Sequence, residues 1–125
     1  MLLSIAVDLV IVFFVGMGLL ALASPESISR IHGTPTLTPA GRNEIRAVYG
    51  GFGLAVAAML GLALSEPSLR AGILLAVAAS LAGMAAGRVV AALVERPGGF
   101  YPSWFYCGLE TSMAVVLWLE ASRGV

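Results

Sequence analysis

From Ala71 to Val94 the chain reads AGILLAVAASLAGMAAGRVVAALV. Only Ser80 and Arg88 interrupt the apolar character of this run. A helix needs about 20 apolar residues to cross the hydrocarbon core of a bilayer. The run meets that length, so it predicts a helix whose solvent is lipid. The same pattern recurs on both sides. Ile45–Leu64 precedes it, with Arg46 and Tyr49 at its start. Leu2–Ala23 comes earlier, broken by Ser4 and Asp8. Trp104–Leu119 follows, shorter, with Glu110 inside. At 1.5 Å per residue this last run reaches only ~24 Å, so Phe100–Ser103 or Glu120–Arg123 must lengthen it.

Punctuation falls between these runs. Ser24-Pro25 suits the end of the first span and the start of a short helix through Ile31, because Ser favours the N-cap and Pro the first turn. Thr38-Pro39 repeats the signal. Ser65-Glu66-Pro67 makes a tight turn, and Glu95-Arg96-Pro97-Gly98-Gly99 breaks the chain before Pro102-Ser103 restarts it. Phe100, Tyr101, Trp104 and Tyr106 gather there, as aromatic residues do at a membrane interface. The expected fold is therefore all-α: one domain over residues 1–125, an integral membrane four-helix bundle with a short helix in its first loop.

Composition agrees. Of 125 residues, 59% are hydrophobic, 15 are Gly and only 11% are charged. A soluble domain carries about 25% charge, and a chain this small needs it to cover its surface. Seven Arg balance seven acids, with no Lys. That argues against nucleic acid as a partner, since no basic stripe exists. Cys107 stands alone and reads as a packing residue. Ala21-Leu22-Ala23 before Ser24 resembles a signal-peptidase site, but no Lys or Arg precedes it and Asp8 does. Arg30, Arg42, Arg46 and Arg96 lie near one side of the expected bundle, Arg70 and Arg123 near the other. The positive-inside rule then places the termini outside.

Membrane helices associate through small residues. Gly53, Ala57 and Gly61 form one such row, and Gly83 and Gly87 another, with Ala79 and Ala91 extending it. Either row could seam the bundle or a homodimer.

The ionisable residues inside spans are the informative ones. Arg88 and Glu110 each lie about seven residues from the same side, roughly 10 Å deep. An Arg or Asp at a helix centre costs ~2.5–3.5 kcal/mol, so the two are expected to pair. At 100° per residue, Arg42, Arg46, Tyr49, Gly53 and Ala57 share a face, with Glu44 opposite. On the last span Tyr106, Cys107, Glu110, Met113 and Ala114 share one. Arg46, Tyr49, Arg88, Tyr106 and Glu110 are thus expected around one polar pocket, with Glu44 just outside it. Two readings stay open. One is a network that fixes helix register. The other is a site for the polar head of an anionic or carbonyl-bearing hydrophobic molecule. Asp8 reads as an interfacial residue or a titrating carboxylate, and His32 as a solvated loop histidine. No metal cluster, phosphate loop or Ser–His pair is visible, so no metal or cofactor is expected.

The run Asn43-Glu44-Ile45-Arg46-Ala47-Val48-Tyr49-Gly50-Gly51 resembles the hallmark of an uncharacterised bacterial family of small four-helix membrane proteins. That family carries a domain of unknown function and is distantly DoxX-like. The resemblance spans nearly the whole chain: Pro25 after the first span, this motif, an Arg late in the third span and a Glu early in the fourth. The spacing here is Glu-x-Arg-x-x-Tyr-Gly-Gly. The resemblance implies the architecture and the bacterial inner membrane as location. DoxX-like proteins are associated with oxidoreductase complexes and quinone chemistry, an analogy of fold and not of site.

The function expected is a small membrane protein that binds a lipid, a hydrophobic small molecule or a partner subunit through its Arg/Glu/Tyr layer. The alternatives are a dimeric proton-coupled transporter using Asp8, or a membrane enzyme acting on an isoprenoid- or quinone-like substrate.

Overall fold

The helices that begin at Pro25, Pro39, Pro67 and Ser103 each start at or beside a residue that the sequence marks as a break. In the computed structural model, which describes residues 2–35 and 38–123, the elements are α1 (Leu2–Ala23), α2 (Pro25–Ile31), α3 (Pro39–Ile45), a π-helical turn (Arg46–Gly51), α4 (Phe52–Ser65), α5 (Pro67–Val94) and α6 (Ser103–Arg123). All regular structure among the described residues is helical. Proline occupies the first turn of α2, α3 and α5. Its missing N–H costs nothing there and its fixed φ suits the helix. Thr38 caps α3, its Oγ1 accepting from Gly41 N at 3.0 Å. Ser24 makes no side-chain cap on α2. Its Oγ instead meets Ser27 Oγ at 2.8 Å.

Three helices are long and apolar enough to cross a membrane: Ser4–Ala23, Pro39–Ser65 and Pro67–Val94. The second is the uninterrupted sequence α3, π turn and α4. It therefore starts six residues before the Ile45 expected from hydropathy, because Pro39 and Thr38 nucleate it. The run expected as a fourth span, 104–119, falls within α6, which is not among these three. Its 21 residues reach ~31 Å, enough for a bilayer core. The added length comes mainly at Glu120–Arg123. Glu110, Thr111, Ser112 and Glu120 keep α6 outside the apolar set. The orientation expected for the termini concerns residues 1, 124 and 125, which lie outside the described residues.

The chain divides into two compact units. One is Asp8–Gly61. Its core joins Ala21, Ile28 and Ile45, with Met17, Leu20 and Tyr49 packed against them. Helix α1 meets the α3–α4 helix at glycines. A methyl group on Gly18 would stand 2.8 Å from Leu54 Cγ and 3.2 Å from the Gly50 carbonyl oxygen. One on Gly50 would stand 2.7 Å from Leu22 Cδ2. One on Gly53 would stand 3.7 Å from the Phe14 carbonyl oxygen, an ordinary contact. Bare backbone is what permits this approach.

The other unit is Leu62–Val125 with Met1–Val7. Here α5 and α6 pack as an antiparallel pair. Leu74, Val77, Ala78, Leu81 and Ala85 are buried on α5. Tyr106, Glu110, Met113, Ala114, Leu117, Glu120 and Ala121 are buried on α6. Both sets recur at helical spacing. Four hydroxyls in these helices, those of Ser80, Thr111, Ser112 and Ser122, bond to the carbonyl four residues back, as Ser80 does to Ala76 O at 2.8 Å and Thr111 to Cys107 O at 2.7 Å. That satisfies them without water.

The small-residue rows fare unequally. Gly53 lies in a helix contact. Among the described residues, methyl groups at Gly61, Gly83 or Gly87 would meet nothing within 4 Å. Leu81 and Ala85, not Gly83 and Gly87, carry the buried side of α5, so the Gly83–Gly87 row seams nothing within its unit. Gly18→Ala should therefore destabilise the protein by about 1–3 kcal/mol in detergent, because the Leu54 side chain must shift and the Gly50 carbonyl must give way slightly. Gly83→Ala should be neutral or gain up to about 1 kcal/mol from helix propensity. Equal melting temperatures for the two variants would contradict this packing.

Candidate functional site

In the Leu62–Val125 unit, the deep charges meet. Arg88 Nε donates to Glu110 Oε2 at 2.8 Å and Nη2 donates to Oε1 at 2.7 Å. This is the two-point fork that a guanidinium makes with a carboxylate. The side chain of Glu110 is 5% exposed and that of Arg88 is 24% exposed. Tyr106, one turn before Glu110, lays its ring 5.5 Å from the Arg88 guanidinium carbon, a cation–π distance. Phe105 stands edge-on to Tyr106 at 5.1 Å, and Tyr101 lies 6.0 Å from it. Cys107 Sγ lies 3.7 Å from the Ala85 carbonyl oxygen, a packing role.

A cleft of ≈ 340 Å³ opens beside the pair. Arg88, Glu95, Arg96 and Ser103 line it with Ala91 and Ala92. Arg88 thus has one side on a buried carboxylate and also borders open space. Small-molecule sites commonly have this size and a few convergent polar groups.

A second ion pair escaped the sequence reading. Arg70 Nη2 donates to Glu120 Oε1, and Glu120 is 8% exposed. The signal was present in the helical period. Glu120 follows Glu110 by ten residues on the buried stripe that runs through Met113 and Leu117. The only charged residues of α5 are arginines, and both are met by glutamates of α6.

Arg46, Tyr49 and Glu44 belong to the Asp8–Gly61 unit and have their own surroundings. Arg46 is exposed and its Nε donates to the Leu22 carbonyl at 3.1 Å. Leu22 is in the last turn of α1, where carbonyls lack helical partners and a cation is favoured. Tyr49 packs on the core of that unit. His32, expected as a solvated loop residue, is half-buried. Its ring stands 5.0 Å from the Tyr49 ring and its Nδ1 lies 3.0 Å from Ile28 O. The turn at Gly33, whose φ is 68°, follows it directly. Glu44 and Asp8 are exposed.

The 100° step expected across this helix fails between Arg46 and Gly51. The Phe52 N–H bonds to Ala47 O, five residues back, so the turn is wider than α. Buried positions run Ile45, Gly50, Gly53, Ala57 and Leu60. The first interval is one residue longer than an α-turn allows. Gly50 takes the inward position and Arg46 faces out. Among the described residues, no group of three or more His, Cys, Asp or Glu could hold a metal.

These features define an all-helical protein with three helices of membrane-crossing length and an arginine–glutamate pair whose carboxylate is buried. The chain belongs to the family described as Domain of unknown function (DUF4345), whose family model matches residues 2–120. No curated protein and no solved structure matches it.

If the pair balances itself, Arg88→Ala should cost about 3–5 kcal/mol, since it strands the buried Glu110 carboxylate, and Glu110→Ala should cost less, since Arg88 is only half-buried and borders the cleft. The double variant should lie closer to wild type than either single change. A double variant as unstable as the worse single one, in the same thermal melt, would show that the two residues act separately.

Proposed function

We propose that this is a small integral membrane protein that binds the polar head of a hydrophobic molecule beside the Arg88–Glu110 pair. Helices α1, α3–α4, α5 and α6 are its four spans. The bacterial inner membrane, with termini outside, is its location, and the distant DoxX-like similarity of the Asn43–Gly51 run belongs to the same reading. The occupant is a lipid or another hydrophobic small molecule. The carrying observation is the cleft. An ion pair that served only to fix register would be sealed, whereas Arg88 lines open space together with Arg96, Glu95 and Ser103. Charged residues at membrane depth are rare and mark binding or transport paths.

In this mechanism Glu110 does not touch the ligand. It holds the guanidinium by two hydrogen bonds, and Tyr106 covers the guanidinium's face. Arg88 is then a preorganised cation whose position costs little to fix on binding. Tyr101 and Phe100, largely exposed at the α5–α6 connection, and Trp104, exposed to a lesser degree, fit the bilayer interface, where a polar head would sit.

Protein extracted in mild detergent should carry a hydrophobic ligand visible by native mass spectrometry. Arg88→Ala and Glu110→Gln should each lose it, with folding checked by circular dichroism and thermal melting. Folded wild type that carries nothing, after extraction in several detergents, would defeat the proposal. Retention in a folded Arg88→Ala variant would move the site elsewhere.

A further inference from the structure

The cleft at the α5–α6 connection carries more chemical information than Arg88 alone. Three side chains at its edge make no hydrogen bond or ion pair among the described residues. These are the guanidinium of Arg96, the carboxylate of Glu95 and the hydroxyl of Ser103. Arg88 sits at the same cleft but is already matched by Glu110. The available charges are therefore one cation and one anion. A purely anionic head would meet Arg96 but also the unmatched carboxylate of Glu95. A purely cationic head would meet the reverse conflict. A head that carries both signs satisfies both groups.

We infer that the cleft takes a zwitterionic lipid headgroup that pairs a phosphate diester with a primary ammonium, as in phosphatidylethanolamine. The inference rests on the head-binding reading above and names its ligand class. The phosphate accepts from Arg96 and from the Ser103 hydroxyl, with the Arg88 charge behind. The ammonium donates to Glu95. A primary ammonium has three N–H donors, whereas a trimethylammonium has none. Ethanolamine heads are thus favoured over choline heads as well as over glycerol heads. The same end of α5 exposes Val90, Leu93 and Val94, with Leu93 82% exposed. That supplies apolar surface for acyl chains, so a lipid fits better than a water-soluble phosphodiester.

Competition in nanodiscs tests this, with native mass spectrometry as the readout. The probes are dioleoyl phosphatidylethanolamine, phosphatidylglycerol and phosphatidylcholine at equal ratios. Glu95 and Arg96 are exposed, so their variants keep the fold. Wild type should retain the ethanolamine lipid about three- to fivefold over the other two, the range expected of a partly solvated ion pair. Glu95→Gln should level ethanolamine with glycerol lipid. Arg96→Gln should weaken all three. An unchanged ethanolamine-to-glycerol ratio in Glu95→Gln would overturn the zwitterion assignment, and if Arg88→Ala still strips the lipid the broader head-binding reading survives. Wild type that retains none of the probes would defeat both. Displacement by soluble glycerophosphoethanolamine at equal concentration would assign the site to a water-soluble ester and overturn the lipid.

Discussion

The two-point contact between Arg88 and Glu110 is the constraint around which the α5–α6 unit is organised. Either group alone in an apolar helix carries a large desolvation cost. Together, at 2.7 and 2.8 Å, they leave little charge unmet. Fork geometry also fixes more than distance. It sets the rotation of both helices about their axes and their relative height. The Arg70–Glu120 contact repeats the constraint toward the other end of the pair. Between them, α5 brings only cations and α6 brings the carboxylates that match them. The lower hydropathy of α6 is the other side of this arrangement, because its glutamates are the partners that α5 requires.

The Asp8–Gly61 unit is held by different means. Its helices approach through absent side chains, with Gly18 facing Gly50 and Leu54. Among the described residues its one buried polar side chain, Ser29, is small, and its arginines work at the edge. Arg46 completes the end of α1, and Arg42 reaches Glu26 at 3.8 Å in solvent-exposed surroundings, where an ion pair contributes little. Charge organises one unit and close backbone approach the other.

Much of this was legible from residue order. Apolar run length and proline position give the helices to within a few residues, because both act locally. The Arg88–Glu110 pair followed from depth alone, since two costly charges at equal height in neighbouring antiparallel helices have few other solutions. Glu120 was less visible. It lies at the end of its apolar run, where an acid reads as solvated. His32 was missed because the fold of α2 and the turn at Gly33 bring it back to Tyr49, a contact between residues 17 apart. The Glu95, Arg96 and Ser103 cleft could not be seen at all in the sequence. It depends on how the Pro97–Pro102 connection folds between two helix ends.

The π turn at Arg46–Gly51 has a consequence for how this chain tolerates changes in length. In an ordinary packed helix, losing one residue rotates everything beyond it by 100° and turns the buried face outward. Here five residues separate Ile45 from Gly50 where an α-turn needs four. Removal of one residue from this turn would let it relax to α while Gly53, Ala57 and Leu60 keep their phase. The helix contains a built-in spare residue, and the Arg46–Gly51 stretch is where a single-codon deletion could pass without unravelling the packing on either side.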